Sequence, residues 1–454
     1  MNSFFSAYKE LLKLGLPVLL AQLGTIIVGQ ADTMMVGDYG TKELASAAFV
    51  NNLLVVPMVM QMGFAAGITP LVGALYGAGK KLEVGQMFRV GLKLNIALGI
   101  IMTLLMGAFF FLLPNMGQDP VLLPLIRPYY LIVLCSMLVG GVFFPCMQLC
   151  NGVTDTATPM WIIIVANVVN IVGNYLLIYG HFGAPELGLI GAGLSTLTAR
   201  VFCLLAILAV IFFAPKYRAY REGLRLRRSL REEQRKLLDT SWPVMVQSGI
   251  ECMLWAVGAV VCGWFSKEQL AGYQVILSIS QLGFMTYMSF ATAVSIKVAN
   301  YTGMRDFTAL RRSARAGLHL TLVLATLASF VFYFCGHGLI HMFTSDTAVI
   351  SAAMALLVPM IVYQYGDAFQ MLYANALRGT GHVLPLVWIS LVSYVVAGIG
   401  AMYLFAGVAD LESRGVYWSF SVALFMAAWL MRRAFKRAVR MEESEEKLVK
   451  ISNS

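Results

Sequence analysis

Charge is what this chain lacks. Of its 454 residues only 12% are Asp, Glu, Lys or Arg, against roughly 25% in an ordinary soluble domain. Hydrophobic residues make up 59%, and mean hydropathy is +0.76. A chain of that composition has the lipid bilayer as its solvent. Sequence signs of several enzymes are missing too. There is no HExxH for a helical zinc protease and no GxxxxGK[ST] loop for ATP-driven pumping. The 7 cysteines form no CxxC, and none stands at zinc spacing from any of the 5 scattered histidines.

What is present is a series of twelve apolar stretches, each near the roughly 20 residues that cross a hydrocarbon core. They fall near 11–36, 46–76, 88–114, 122–150, 159–180, 188–214, 237–265, 270–300, 315–342, 347–377, 383–406 and 414–434. The first is too long for a signal peptide, carries Pro17 and Asp32, and leads to no small-residue cleavage site.

The formal net charge of +10 is one-sided. Basic residues crowd the connection from Lys216 to Lys236 and the tail from Arg432 to Arg440. Lys80, Lys81, Arg89, Arg305, Arg311 and Arg312 fall on the same side, and only Lys42, Arg127, Lys267 and Arg414 on the other. Sidedness of this kind orients a membrane protein, so both termini and the long middle loop are expected in the cytoplasm. It also accounts for the positive charge without a nucleic-acid partner; membrane lipids are the expected neighbours of the basic loop.

Residues 11–94 recur without a gap at a spacing of 226, Pro17 returning as Pro243. The same spacing carries Leu44-Ala45 to Leu270-Ala271, Phe64-Ala65 to Phe290-Ala291 and Gly77 to Gly303. Arg89, Gly91 and Leu92 return as Arg315, Gly317 and Leu318. Two like halves with six spans each insert in the same orientation, as parallel repeats. The expected architecture is an all-α membrane protein: twelve transmembrane helices in two six-helix bundles with a central cleft. The expected parts are an N-lobe over 1–214, an amphipathic cytoplasmic linker over 215–236, a C-lobe over 237–440 and a tail over 441–454. Folds of this kind are foremost transporters.

Three carboxylates lie well inside apolar stretches: Asp32, Glu251 and Asp367. A charge at that depth costs about 2.5–3.5 kcal/mol even on the mild insertion scale, so each is expected to face the protein interior and to act there. None has an acidic counterpart at the repeat spacing; Thr25, Gly141 and Gly258 stand there instead. The scaffold is duplicated and the chemistry is not. Helical spacing puts Gln22, Thr25, Gly29 and Asp32 on one face, and Asn167, Asn170 and Asn174 on another. Gln247 lies one turn from Glu251, and Tyr363 one turn from Asp367. Carboxylates joined by phenol or amide oxygens suit a proton or a hard monovalent cation. Arg200 is the one deep cation on this reading, either pairing with an acid or snorkelling toward the cytoplasm.

Several of these segments resemble the MATE (multidrug and toxic compound extrusion) transporters, in particular the NorM-like branch. They are Gln30-Ala-Asp32-Thr-Met-Met-Val-Gly37, Pro70-Leu-Val-Gly-Ala-Leu-Tyr-Gly-Ala-Gly79, Gly249-Ile-Glu251, Asp346 and the run from Asp367 to Gly379. They stand in family order and span nearly the whole chain. The resemblance implies a secondary antiporter of the cell (inner) membrane that exports small organic cations against Na⁺ or H⁺, with no cofactor beyond the coupling ion and no enzymatic activity. It implies a cation site at Glu251, Tyr363 and Asp367, the two acids being the ligands of a monovalent metal ion. Asp32, Asn170 and Asn174 would form an N-lobe site for protons or substrate. Position 174 is Asn here, where the archaeal branch has an acid; this counts against an N-lobe sodium site. The 26 methionines and the 12% aromatics suit a permissive pocket and are equally ordinary membrane-core filling. The chain is expected to work as a monomer. A lipid-linked oligosaccharide flippase is the alternative within transport, and an intramembrane enzyme the alternative outside it.

Overall fold

The structure is a computed structural model that describes residues 4–117, 119–226 and 230–452. Among them there is no strand, as expected where lipid offers no partner for an open sheet edge. The first half of the chain runs α1 (Phe4–Tyr39), α2 (Thr41–Ala66), α3 (Ile68–Gly77), α4 (Lys81–Phe109), α5 (Leu123–Gly152), α6 (Ala157–Tyr179) and α7 (Leu189–Phe213). The short α8 (Arg218–Arg225) follows. The second half runs α9 (Arg231–Phe265), α10 (Lys267–Met304), α11 (Phe307–His341), α12 (Thr347–Gly379), α13 (Leu384–Ser390), α14 (Ile399–Met402) and α15 (Glu412–Ser452). Residues Leu391–Gly398 and Tyr403–Val408, on either side of α14, are π-helical. Among the described residues eleven helical segments are long and apolar enough to cross a membrane, and the twelfth expected stretch, 414–434, lies within α15. The chain is an all-α integral membrane protein of two six-helix halves.

Helix ends follow the repeat. The α1 and α9 helices end at Tyr39 and Phe265, and α2 and α10 begin at Thr41 and Lys267, each pair 226 apart. The turn after Gly77 is left-handed at Gly79 (φ 75°), and its equivalent in the second half is Arg305 (φ 56°). Glycine takes that conformation freely, whereas arginine is strained there. The first half differs at Gly67, where α2 stops and α3 begins; α10 runs straight through the matching Ala293. Asp119 and Asp346 play matching parts, each accepting from a backbone N–H two residues on, Val121 at 2.9 Å and Ala348 at 2.8 Å.

Contacts divide the chain into two compact units, one from Leu20 to Met245, the other comprising residues up to Leu19 and those from Val246 on. Both cuts fall inside the first helix of a repeat, again 226 apart. Each unit therefore holds five complete spans and one half of each of α1 and α9. In the unit containing α10, the direction in which Gly15 would carry a Cβ points at the Phe290 ring, 2.5 Å away. Glu10 there is tied to Lys297 at 2.7 Å and to the Tyr301 hydroxyl at 3.0 Å. In the other unit Ser241, the repeat equivalent of Gly15, stands over Gly67, and Leu237 packs into a core with Ile68 and Phe88.

The charged connection between the halves is bound down at two points. The α8 helix lies against α4 so closely that a Cβ on Gly223 would meet the Leu82 carbonyl oxygen at 2.2 Å, and one on Gly85 the Tyr220 oxygen at 2.1 Å. Arg89 donates to the Leu226 carbonyl at 3.0 Å. Just before α8, Asp155 accepts from Lys216 at 2.5 Å, from the Tyr217 hydroxyl at 2.7 Å and from Thr158 Oγ1 at 3.0 Å. Burial alone would raise the Asp155 carboxyl, but these bonds outweigh it and hold it below the usual aspartate value. Arg227 and Arg228, part of the amphipathic run expected here, lie outside the described residues.

Candidate ion and substrate sites

Polar side chains in lipid-facing helices need internal partners, and in the unit from Leu20 to Met245 Asp32 finds them. Asp32 on α1 accepts a short hydrogen bond from Asn174 Nδ2 on α6. Asn170, one turn earlier on α6, faces both Asp32 and the Thr196 backbone N–H of α7. That N–H, 3.3 Å away, can only donate, so the amide oxygen of Asn170 faces it and the nitrogen donates to Asp32 at 2.8 Å. Ser195 Oγ donates to the Asn170 carbonyl at 2.7 Å and fixes α7 against α6. Asn170 and Asn174 are both buried; Asn174 keeps an unpartnered amide oxygen, and Asn167 of the same stripe an unpartnered amide nitrogen. Arg200 on α7 donates to Ser136 Oγ on α5 at 2.5 Å and lies within electrostatic reach of Asp32 and Tyr129.

The other unit assembles its polar groups differently. Asp367 and Tyr363 on α12 are 1% and 2% exposed, and Glu251 on α9 is 9% exposed. Glu251 is the electrostatic neighbour of Asp367. Tyr363 packs on Trp255 at 5.6 Å and on Tyr417 at 5.7 Å between ring centroids; its hydroxyl meets Ser280 within reach of Asp367. Around them many buried polar atoms have no partner. These are Glu251 Oε1, Asp367 Oδ1, Gln247 Nε2, both amide atoms of Gln370, and the Tyr287 and Tyr394 hydroxyls. Most buried polar atoms in proteins are paired, so such a concentration marks a site made for something else.

Three members of this second site escaped the sequence reading. Tyr287 and Tyr394 are fully buried tyrosines like many others, and only the fold brings them beside the acids. Arg378 is a second deep cation, on α12, with Nη2 donating to Gln247 Oε1 at 2.8 Å. It had a legible signal, lying eleven residues after Asp367, close to three full helical turns, and so on the same face. Among the described residues no group of three or more His, Cys, Asp or Glu gathers around a metal position. What the second unit offers a cation is a pair of acids framed by phenol and amide groups.

The MatE family model matches residues 17–176 and again 243–404, so the match itself begins at Pro17 and restarts at Pro243. The chain belongs to the MatE family. It is 28% identical over 441 residues to the probable multidrug resistance protein NorM of Xylella fastidiosa, covering 96% of this chain and 93% of that one. Among solved structures, the eukaryotic MATE transporter AtDTX14 superposes with a TM-score of 0.87 at 18% identity, over 97% of this chain and 99% of that one. The outward-facing conformation of a multidrug resistance MATE family transporter of the MOP superfamily gives a TM-score of 0.87 at 19% identity, over 96% of both chains. These two likenesses concern the fold. Membership in a family of multidrug transporters makes the chain a transporter of small molecules and sets aside the intramembrane-enzyme reading.

Proposed function

We propose that this MatE protein is a secondary antiporter exporting organic, mostly cationic and amphipathic compounds in exchange for Na⁺ or H⁺. The observation that carries the reading is the pair of buried, incompletely partnered acids, Glu251 and Asp367, within one unit. Two carboxylates in a poorly hydrated place repel each other, and an entering cation or proton relieves the repulsion. Occupied and empty forms then favour different conformations, which is what coupling requires. Glu251, Tyr363 and Asp367 form the coupling site. Of the two roles open to Asp32, Asn170 and Asn174, binding protons or substrate, the substrate is the one assigned to them, with Asp32 offering a charge that an organic cation can neutralise. Three deep acids outnumber the two deep arginines, Arg200 and Arg378. That balance favours cationic cargo over the pyrophosphate of a lipid-linked oligosaccharide. The protein works as a monomer in the cell (inner) membrane, and its termini lie inside, an orientation that the sidedness of its basic residues supports.

The test is accumulation of a fluorescent organic cation in cells with and without the protein, before and after the Na⁺ and proton gradients are collapsed one at a time. Lower accumulation that depends on one gradient supports the proposal. Accumulation unchanged by the protein, or by both gradients, contradicts it.

A further inference from the structure

Glu251 and Asp367 are alike in the sequence but differ in surroundings. Arg378 reaches across from α12 to Gln247, which is 0% exposed and one turn before Glu251 on α9. The carboxylate within electrostatic reach of Arg378 is Glu251; Asp367 has Glu251 as its charged neighbour. Arg378 is half-buried with its Nε shielded from solvent, and a guanidinium so placed is costly unless a counter-charge stands near. Gln247 thus acts as a bracket that ties the guanidinium one helical turn along α9 from the first acid. The bracket is loose: Arg378 Nε, Gln247 Nε2 and Glu251 Oε1 are all buried and unpartnered. Tyr394, on the first π-helical stretch, lies within electrostatic reach of Glu251, Asp367 and Arg378. Its unpartnered hydroxyl can donate to whichever acid is bare. π-Helical turns of this kind often accompany functional sites.

We infer that Arg378, bracketed by Gln247, is a built-in counter-cation for Glu251, so that the coupling site takes up one positive charge, at Asp367. The inference rests on the antiport reading and deepens it. The site carries two negative charges and one fixed positive one, and a single entering Na⁺ or proton completes neutrality. Arg378 is therefore a positioning residue that sets how many charges the site accepts and how tightly.

The charge arithmetic ranks four proteins by cation affinity. Arg378→Gln leaves two uncompensated acids and binds cations most tightly. Wild type and the double variant Glu251→Gln/Arg378→Gln each leave one and are alike. Glu251→Gln alone leaves a neutral site and binds most weakly. The experiment is cation-driven exchange of a fluorescent organic cation in proteoliposomes, titrated with Na⁺ at fixed pH and with pH at fixed Na⁺. The half-saturating cation concentration should fall at least about tenfold in Arg378→Gln and rise at least about tenfold in Glu251→Gln; tenfold corresponds to about 1.4 kcal/mol. The double variant should return to within about threefold of wild type, roughly 0.7 kcal/mol on the same scale.

A purely structural role for Arg378 cannot produce that rescue. A double variant as weak as Glu251→Gln overturns the inference, as does a Glu251→Gln protein that keeps wild-type affinity. If the double variant does not assemble, Arg378→Lys decides: near-wild-type half-saturation supports the inference, and a tenfold shift overturns it. Wild type without cation dependence defeats the antiport reading itself; a coupled wild type without the ranking defeats only the role given to Arg378.

Discussion

Asp32 and Asp367 are both carboxylates in membrane-spanning helices, yet the two units treat them in opposite ways. Asp32 is met by two amide donors, and the basic group in its reach, Arg200, is itself anchored on Ser136. Asp367 keeps an unpartnered oxygen, has a second acid as neighbour, and is surrounded by amide and phenol groups that are unsatisfied in their turn. A carboxylate whose donors are already in place has its geometry fixed in advance; one that lacks them gains from anything that supplies the missing charge. On the proposed reading, the duplicated scaffold carries one site suited to recognition and one suited to ion uptake.

The largest effect expected from breaking this contrast comes at Asp367. Asp367→Asn removes the charge an entering cation would neutralise. Gradient-driven exchange in proteoliposomes should fall at least about tenfold, about 1.4 kcal/mol of coupling. Asp32→Asn should assemble and express at wild-type levels, because an amide can occupy the same place among Asn170 and Asn174, yet lose most export of organic cations. Loss of expression instead would make Asp32 a structural residue and erase the functional contrast between the units.

Two smaller effects should leave the contrast intact and concern the linker. Gly223→Ala forces a methyl group toward the Leu82 carbonyl across the α4–α8 contact. Overpacking of this kind costs roughly 1–3 kcal/mol. Thermal unfolding in detergent should shift down by several degrees while the cation dependence of exchange stays unchanged. Asp155→Asn loosens the hold on Lys216 and Tyr217, at a cost of roughly 1 kcal/mol. Because the folded Asp155 carboxyl sits below its ordinary value, its stabilisation is complete above about pH 4 and disappears as pH falls through the lowered value. Wild type and variant should therefore differ in unfolding temperature at pH 7 and converge in strong acid.

Much of the fold could be read in the chain. The spacing from Pro17 to Pro243 located matching helices, and the apolar runs located the spans, because lipid allows few alternatives to a helix. The exchange of half-helices between units was not legible: α1 and α9 are apolar along both halves, and composition does not say which neighbours each half will meet. Within the sites, helical spacing announced Asp32, Asn170, Asn174, Glu251, Tyr363 and Asp367, since acids and amides stand out against an apolar run. Tyr287 and Tyr394 did not stand out among 19 tyrosines. Arg378 shared a face with Asp367 by its spacing, but that signal was masked by its place near the end of α12, where a basic residue is ordinary.

The central claim is that coupling ions act in the unit of Glu251 and Asp367 and not at Asp32. The most direct measurement is binding of the coupling cation, Na⁺ or H⁺, to purified wild type, Asp32→Asn and Asp367→Asn without drug, followed by isothermal calorimetry. The account predicts a wild-type-like binding isotherm for Asp32→Asn and none for Asp367→Asn. Binding that survives in Asp367→Asn and vanishes in Asp32→Asn would contradict it.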